Sequence, residues 1–505
     1  MTIVNSLATW YFKTRIKQIE EATERPVETQ MELFNELIRQ GRRTEIGKDH
    51  DFKSIRNYRE YSERVPIRHY EDFKPYIDRM LRGEQGVLWP GDILWFAKSS
   101  GTTGDKSKFI PVSFEALDEC QFRGARDLLT IYSHNNPQAA LFDGKGLLIG
   151  GSNEINKFGG SSYYGDLSAV MMNNLPVWVN LFRTPKPEVA LMPNWEDKLF
   201  KMADETIHED VRSISGVPTW TLLLIKELLR RKDTDNLLDV WPNIELFLHG
   251  GVSFEPYRSQ FESLIPSGQM HYLESYNASE GFFSIQDSFE RDDMLLMMDY
   301  GIFYEFAEDY YSDDPKIHTL ETVEAGKSYA LIITTNGGLW RYWLGDVITF
   351  TDTKPFRIQI SGRTKLHINV FGEELMIHNA ERALQRSCEE EKAIIRDFTA
   401  GPIPIVDGQP GGHEWIIEFE QPPADQKRFN QLLDQYLKDE NSDYEAKRSG
   451  DLAMKAPVIR VAPDGTFYQW MKNRNRLGGQ NKVPRLSNNR TIVDSLNELM
   501  KTENA

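Results

Sequence analysis

From Asp92 onward the chain sets short, largely apolar runs between glycine-rich turns: Ile93 to Ala97, Leu147 to Ile149 and Ile244 to Leu248. Continuous apolar runs of this length, without polar alternation, are what strands buried on both faces of a parallel sheet require. Between the last two runs, Pro218 opens a segment that carries Leu222, Leu223, Ile225, Leu228 and Leu229 and closes at Arg231. Proline in the first turn and basic residues in the last suit a helix and its dipole. Strand, helix and strand in that order read as α/β.

The flanking regions differ. Residues 1–85 alternate apolar and charged positions at helical spacing, as in Leu33, Phe34, Leu37 and Ile38, and predict a helical lead-in. After Gly326, the runs Tyr329 to Thr335 and Leu339 to Phe350 flank Asn336-Gly337-Gly338 and predict a β-rich hairpin region. Near Ser361-Gly362-Arg363 the pattern shifts to a compact α+β alternation. Helices are expected at Asn379–Glu391 and Gln426–Leu437, and strands at Trp415–Phe419, Val458–Val461 and Phe467–Trp470, the last two joined by a turn at Pro463-Asp464-Gly465. The expected boundaries are 1–361 for a large domain and 362–505 for a small one of ordinary size.

Charge and cysteine content narrow the function classes. The formal charge of −17 over 505 residues has the wrong sign for a general polyanion binder, so nucleic acid is not the expected partner. No stretch approaches the run of about 18 apolar residues that a membrane helix needs. The apolar N-terminal stretch around Leu7 and Trp10 to Phe12 is followed, not preceded, by Lys13, Arg15 and Lys17, the reverse of a secretory signal. Cys120 and Cys388 stand far apart and form neither a disulfide framework nor a metal cage, so a reducing, cytoplasmic setting is expected.

Four segments could carry chemistry. Lys98 to Lys108 (KSSGTTGDKSK) follows a predicted strand end. Its glycines let backbone approach an anion, its hydroxyls and amides donate to phosphate oxygens, and its lysines neutralise charge, although a flexible polar loop has the same composition. Tyr276 to Gly281 (YNASEG) offers a ring to stack on a base and one carboxylate able to hold Mg²⁺, or else a piece of core. In Tyr342 to Asp346 (YWLGD) an acid after a tight glycine turn could bind ribose hydroxyls, or the segment could be a hairpin turn. Lys472, Arg474, Arg476, Lys482 and Arg485 could steer a triphosphate or simply face solvent. No Walker-type GxxxxGK[ST] loop, dinucleotide fingerprint, GxSxG elbow or HExxH is present.

Taken in this order, the segments resemble the adenylate-forming enzyme superfamily, and within it the acyl acid–amido synthetases of the early auxin-responsive family, as a bacterial relative. The Ser99-to-Lys108 loop resembles the superfamily's phosphate motif, with Ser99, Ser100, Gly101, Thr102, Thr103 and Lys108 as implied nucleotide contacts. Tyr276 to Gly281 resembles the adenine and magnesium motif, which implies nucleotide contacts for Tyr276 and Ser279 and a catalytic, metal-holding role for Glu280. His249 to Phe254 (HGGVSF) also looks familial. Asp346 matches the ribose-binding acid, Ser361-Gly362-Arg363 the interdomain hinge with Arg363 near the nucleotide, and Gln480 to Arg485 the C-terminal segment with catalytic Lys482. Two places depart from the pattern. Trp343 stands where the family has an arginine, and Leu366 and Asn369 where many superfamily members carry an acid and a lysine.

The resemblance implies a large N-terminal domain of parallel sheets and helices that binds ATP and acyl acid, and a small, mobile α+β C-terminal domain. It implies ATP with Mg²⁺, and a two-step ligase that adenylates a carboxylic acid and passes the acyl group to an amine, an amino acid by analogy. A coenzyme A ligase shares the first step, and a noncatalytic nucleotide-binding protein would keep Tyr276 and Asp346 without turnover. A structural or RNA-binding role for the basic tail would have to overcome the net charge locally. The aromatic and methionine residues of Gly151–Val179, such as Tyr163, Tyr164, Met171 and Trp178, fit an acyl pocket or core equally.

Overall fold

Phe34, Leu37 and Ile38 fall on one side of the helix Pro26–Gly41, which has Pro26 in its first turn, and that side is buried. The lead-in as a whole is helical: Ile3–Glu24, Pro26–Gly41, Glu45–Asp49, Tyr58–Arg64 and Tyr70–Leu81. The computed structural model describes residues 3–100, 107–150, 155–158, 161–192, 195–251, 254–265, 268–310, 312, 314–364, 367–406, 409–451, 453–474 and 483–503.

The described residues divide into two units, the larger of which closes at Thr364. Its centre is a 12-stranded mixed sheet. One half is parallel: Arg183–Thr184, Lys145–Leu148, Val211–Ser215, Leu246–Gly250 and His271–Ala278 lie side by side in that order. The predicted helix is present at Pro218–Lys232. The other half is antiparallel and runs through Gly281–Ile285, Met294–Leu296, Phe356–Arg363, Tyr342–Thr353, Ser328–Thr335, Ile302–Glu308 and Lys316–His318. The parallel strands therefore hand over to the hairpin region at His271–Ala278. A second sheet orders Ser107–Val112, Trp95–Ser100, Ser162–Gly165 and Asn156–Phe158. The run expected at Ile93–Ala97 thus starts at Trp95 and continues to Ser100, pairing in parallel with Ser162–Gly165.

Beyond Thr364 the fold is α+β, with a three-stranded sheet of Ile394–Ile403, Gly412–Gln421 and Val458–Ala462 and helices at Ile377–Glu391 and Gln426–Glu440. One expectation fails here. Phe467–Trp470 is not a strand but part of the helix Thr466–Asn473. Gly465, at φ +83°, caps that helix, and Phe467, Trp470 and Met471 recur at helical spacing to pack with Val493 and Leu496. The Trp470 indole also donates to Ser495 Oγ at 2.7 Å.

Among the described residues no helix is long and apolar enough to cross a membrane. Both cysteines are free, and burial pushes the Cys120 thiol up to about 12.

Candidate active site

The His271–Ala278 strand turns straight into Gly281–Ile285. Ala278 lies opposite Gly281, which leaves Ser279 and Glu280 as a two-residue hairpin loop. A Cβ at 281 would sit 2.5 Å from Ile302 Cδ1, so glycine lets the hairpin pack there without displacing that side chain. The hairpin is also held from a neighbouring helical segment, where Gln121 Nε2 donates to the Ala278 carbonyl at 3.1 Å and Cys120 Sγ accepts from the Phe282 amide at 3.1 Å. Glu280 is thereby fixed at the carboxyl end of the last parallel strand, where open α/β sheets take their ligands.

The Tyr342–Thr353 strand brings the second set of residues. Val347 pairs with Ala330 and Trp343 with Ile332, so Leu344, Gly345 and Asp346 bulge opposite the single residue Leu331. Gly345 sits at φ +94°, a backbone region that favours glycine, and bulges of this kind re-aim neighbouring side chains. The Gly345-Asp346 segment is thus a bulge inside a strand, and the hairpin turn lies earlier, between Thr335 and Leu339.

Asp346, 6% exposed, lies opposite Arg363 across the strand pair. Arg363 Nε meets Asp346 Oδ1 at 2.7 Å, and the Tyr276 hydroxyl donates to Oδ2 at 2.6 Å. Burial, then the Asp346 charge, holds the Tyr276 phenol well above its ordinary range, so it remains a donor. Each carboxylate oxygen retains a lone pair for a ligand hydroxyl. The Tyr276 ring itself is buried and tilts against Phe283 with centroids 4.6 Å apart.

Glu280 heads a second group. The Tyr342 hydroxyl donates to Glu280 Oε1 at 3.3 Å and accepts from Lys108 Nζ at 3.3 Å. Burial raises the Glu280 carboxyl above its ordinary value, and the Lys108 charge acts against that rise. Lys108 is 8% exposed and lies over the Tyr70 ring, 5.6 Å from its centroid. Burial, then the Glu280 charge, raises the Tyr342 phenol well above its ordinary range.

The structure therefore brings together Tyr276, Glu280, Asp346, Arg363 and Lys108. Ser279 is partly exposed in the hairpin loop, and Ser99 is partly exposed near the end of Trp95–Ser100, the strand that Ser100 closes. Gly101, Thr102, Thr103 and Lys482 lie outside the described residues. Sequence reasoning missed Tyr342 as an individual contributor. The bulge between it and Asp346 interrupts the two-residue alternation of the strand, so spacing carries no signal for it.

Trp343 donates from Nε1 to Thr364 Oγ1 at 3.4 Å and packs with Ala307, Ala330 and Ile332. His249 is 3% exposed, stacks on Phe254 at 4.2 Å, and among the described residues neither ring nitrogen has a hydrogen-bond partner. Burial lowers its imidazole to about 3. Among the described residues no cluster of three or more acidic, histidine or cysteine side chains is placed to hold a metal.

Comparison with known proteins gives this geometry its setting. Residues 15–270 match the GH3 family N-terminal domain, 295–363 the central domain and 378–491 the C-terminal domain. The chain is 22% identical to an indole-3-acetic acid-amido synthetase of Arabidopsis thaliana, with 93% of this chain and 91% of the relative aligned. It is 23% identical to a 4-substituted benzoates-glutamate ligase of the same plant (93% and 94%) and 22% identical to a jasmonoyl-L-amino acid synthetase of Nicotiana attenuata (93% and 92%). An acyl acid amido synthetase structure from the same group superposes with a TM-score of 0.63 at 17% identity, covering 96% of each chain. A 2-hydroxyisobutyryl-CoA ligase superposes with a TM-score of 0.57 at 12% identity, covering 95% of this chain and 93% of that one, which shows a shared fold. With one domain model matching half the chain and two more following in order, the chain belongs to the GH3 family.

Proposed function

We propose that the protein is an ATP-dependent acyl acid–amido synthetase, which joins a carboxylic acid to an amine and converts ATP to AMP and pyrophosphate. The observation that carries this reading is the match of all three family domains along one chain, together with alignment over nearly the full length of curated amido synthetases. Because those relatives conjugate small organic acids, several of them to amino acids, a small acid and an amino acid are the proposed substrates.

In the first half-reaction a carboxylate oxygen of the acid attacks the α-phosphorus of ATP. The new O–P bond forms as the bond to the bridging oxygen breaks, and pyrophosphate leaves with that electron pair. Negative charge accumulates on the transferred and departing groups, so catalysis rests on positioning and charge stabilisation. Asp346 accepts from the ribose hydroxyls, and Tyr276 places its ring beside the base. Ser99 to Thr103 donate hydroxyls and amides to the phosphates, and Lys482 adds a positive charge. Arg363, paired with Asp346, holds that carboxylate in place for the sugar.

Glu280 fits a Mg²⁺ ligand. It is a single desolvated carboxylate with no three-ligand cage around it among the described residues, and Mg²⁺ is commonly held by one or two carboxylates plus substrate phosphates. Bound there, the ion would neutralise phosphate charge. In the second half-reaction the amine nitrogen attacks the acyl carbon, AMP departs with the C–O electron pair, and the nitrogen releases its proton. The acyl adenylate is a mixed anhydride, so holding the amine in line supplies most of what this step needs. A change in the position of the C-terminal domain near Gly362-Arg363 would withdraw Lys482 and admit the amine.

Acid-dependent exchange of labelled pyrophosphate into ATP, screened over a panel of carboxylic acids, tests this reading. Exchange with at least one acid, followed by amide formation on adding amino acids, is expected. ATP binding without exchange for any acid would make the chain a noncatalytic nucleotide binder. An adenylate consumed only by coenzyme A would overturn the acceptor.

A further inference from the structure

Adenylation as described does not itself require a tyrosine at position 342, yet the hydroxyl of that residue is the point where Lys108 and Glu280 meet. Tyr342 is fully buried, and its ring is held edge-on by Phe73 at 5.8 Å. Lys108 is enclosed from the same helix. Tyr70 presents its ring to the ammonium, and the Tyr70 hydroxyl accepts from the Phe109 amide at 2.8 Å, which ties that ring to the strand carrying Lys108. A lysine meant to follow a moving phosphate needs a free stem and an exposed ammonium. Lys108 is 8% exposed, beside an aromatic face, and donating to a buried hydroxyl.

We propose that Tyr342 is a positioning residue that ties Lys108 to Glu280, so that the Lys108 ammonium serves the Glu280 carboxylate rather than a nucleotide phosphate. A phenol is suited to the task because it accepts from the ammonium and donates to the carboxylate at once. Polarised by the lysine, the O–H becomes a stronger donor, and the chain of donors runs one way, from Lys108 through Tyr342 to Glu280. Both links are long at 3.3 Å, and contacts of this kind tighten when a ligand completes the site. The proposal rests on the ligase reading in one respect, which is that Glu280 holds the divalent ion.

The test is direct binding, with no turnover required. Mn²⁺ is titrated into the protein in the presence of ATP and followed by electron paramagnetic resonance, and ATP binding is measured separately with all divalent metal removed. Tyr342→Phe is expected to bind Mn²⁺ roughly 10-fold more weakly, with an altered spectrum, while its metal-free ATP affinity stays within about twofold. Lys108→Gln is expected to keep metal-free ATP affinity within about twofold as well. Unfolding midpoints establish that the variants are folded, and the lysine variant carries the test if the tyrosine variant is not. Equal Mn²⁺ affinity and spectrum in wild type and Tyr342→Phe would overturn the tie. A 10-fold loss of metal-free ATP affinity in Lys108→Gln would overturn it too, by placing the lysine on phosphate. A wild-type chain that binds no Mn²⁺ with ATP present would instead remove the ligase reading, and the proposal with it.

Discussion

The Tyr276 hydroxyl donates to Asp346 Oδ2 across 2.6 Å, and this bond links residues 70 positions apart on two strands of one sheet. Arg363 takes the other carboxylate oxygen at 2.7 Å. Two segments singled out in the sequence for separate reasons are therefore one structural unit, with a third residue from the expected hinge closing it.

Asp346→Asn is expected to break that unit without unfolding the chain. An amide offers one acceptor oxygen, so Tyr276 and Arg363 can no longer both be satisfied and the ribose contact is lost. Removing a hydrogen bond to a charged group corresponds to roughly 1.5–3 kcal/mol, so ATP affinity should fall about 10- to 100-fold. Equilibrium nucleotide binding checks this, and an unchanged dissociation constant would take Asp346 out of the nucleotide site.

A second expectation concerns the scaffold. Arg341 immediately precedes Tyr342 and is buried against Glu305, with Nη2 to Oε1 at 2.8 Å and side chains 6% and 0% exposed. Its Nη1 also donates to the carbonyls of Ser62 and Val65, and Tyr58 donates to the same carboxylate. Removing one partner leaves a buried charge unpaired, a loss of about 3–5 kcal/mol. Arg341→Met should lower the denaturant midpoint accordingly, whereas the double change with Glu305→Leu should recover much of it. A single variant as stable as wild type would show that the pair is not held as described.

The legibility of these features from sequence differs for physical reasons. The parallel strands, the Pro218 helix and the Asn336-Gly337-Gly338 hairpin were readable because apolar periodicity and turn residues are local. Phe467–Trp470 reads as a strand because four residues with three large rings fit both periods, and partners distant in sequence, Glu418 and Val493, Ser495 and Leu496 of the last helix, settle it as a helix. The roles of Tyr276, Glu280 and Asp346 were suggested by their residue types and by family likeness. What the sequence could not show is pairing. Nothing local to Lys108 marks it as a partner of Tyr342, 234 positions away. The bulge at Gly345 likewise depends on the register of the neighbouring strand.

Glu274 gives a pH dependence with a definite sign. Burial is the main cause that lifts its carboxyl to about 7, with Asp292 adding to the rise and Arg258 opposing it. The folded state therefore keeps a proton that the unfolded chain gives up near its ordinary value. Stability falls as pH rises from about 4.5 through about 7, and nothing is lost below that window. Glu274→Gln should then be more stable than wild type at pH 8, by up to about 3 kcal/mol, and no different at pH 4. Chemical denaturation at the two pH values checks this, and an equal effect at both would exclude titration of Glu274 as the cause.

Lys482 is expected to matter for adenylate formation and much less for amide transfer. An ammonium is a compact point charge with three donors, suited to bridging and nonbridging phosphate oxygens as charge builds on them. Electrostatic stabilisers of this kind are typically worth roughly 10²–10³ in rate, so Lys482→Ala should lose about that factor in pyrophosphate exchange. Once pyrophosphate has left, the acyl carbon is the electrophile and the amine needs only position and the loss of a proton. Preformed acyl adenylate supplied to the variant should therefore restore near-normal amide formation. If Lys106 or Lys108 of the Ser99–Lys108 loop makes the transition-state contact instead, Lys482→Ala will exchange pyrophosphate normally and the loop lysine variants will not. That result would move the catalytic charge to the loop and leave the two-step chemistry in place.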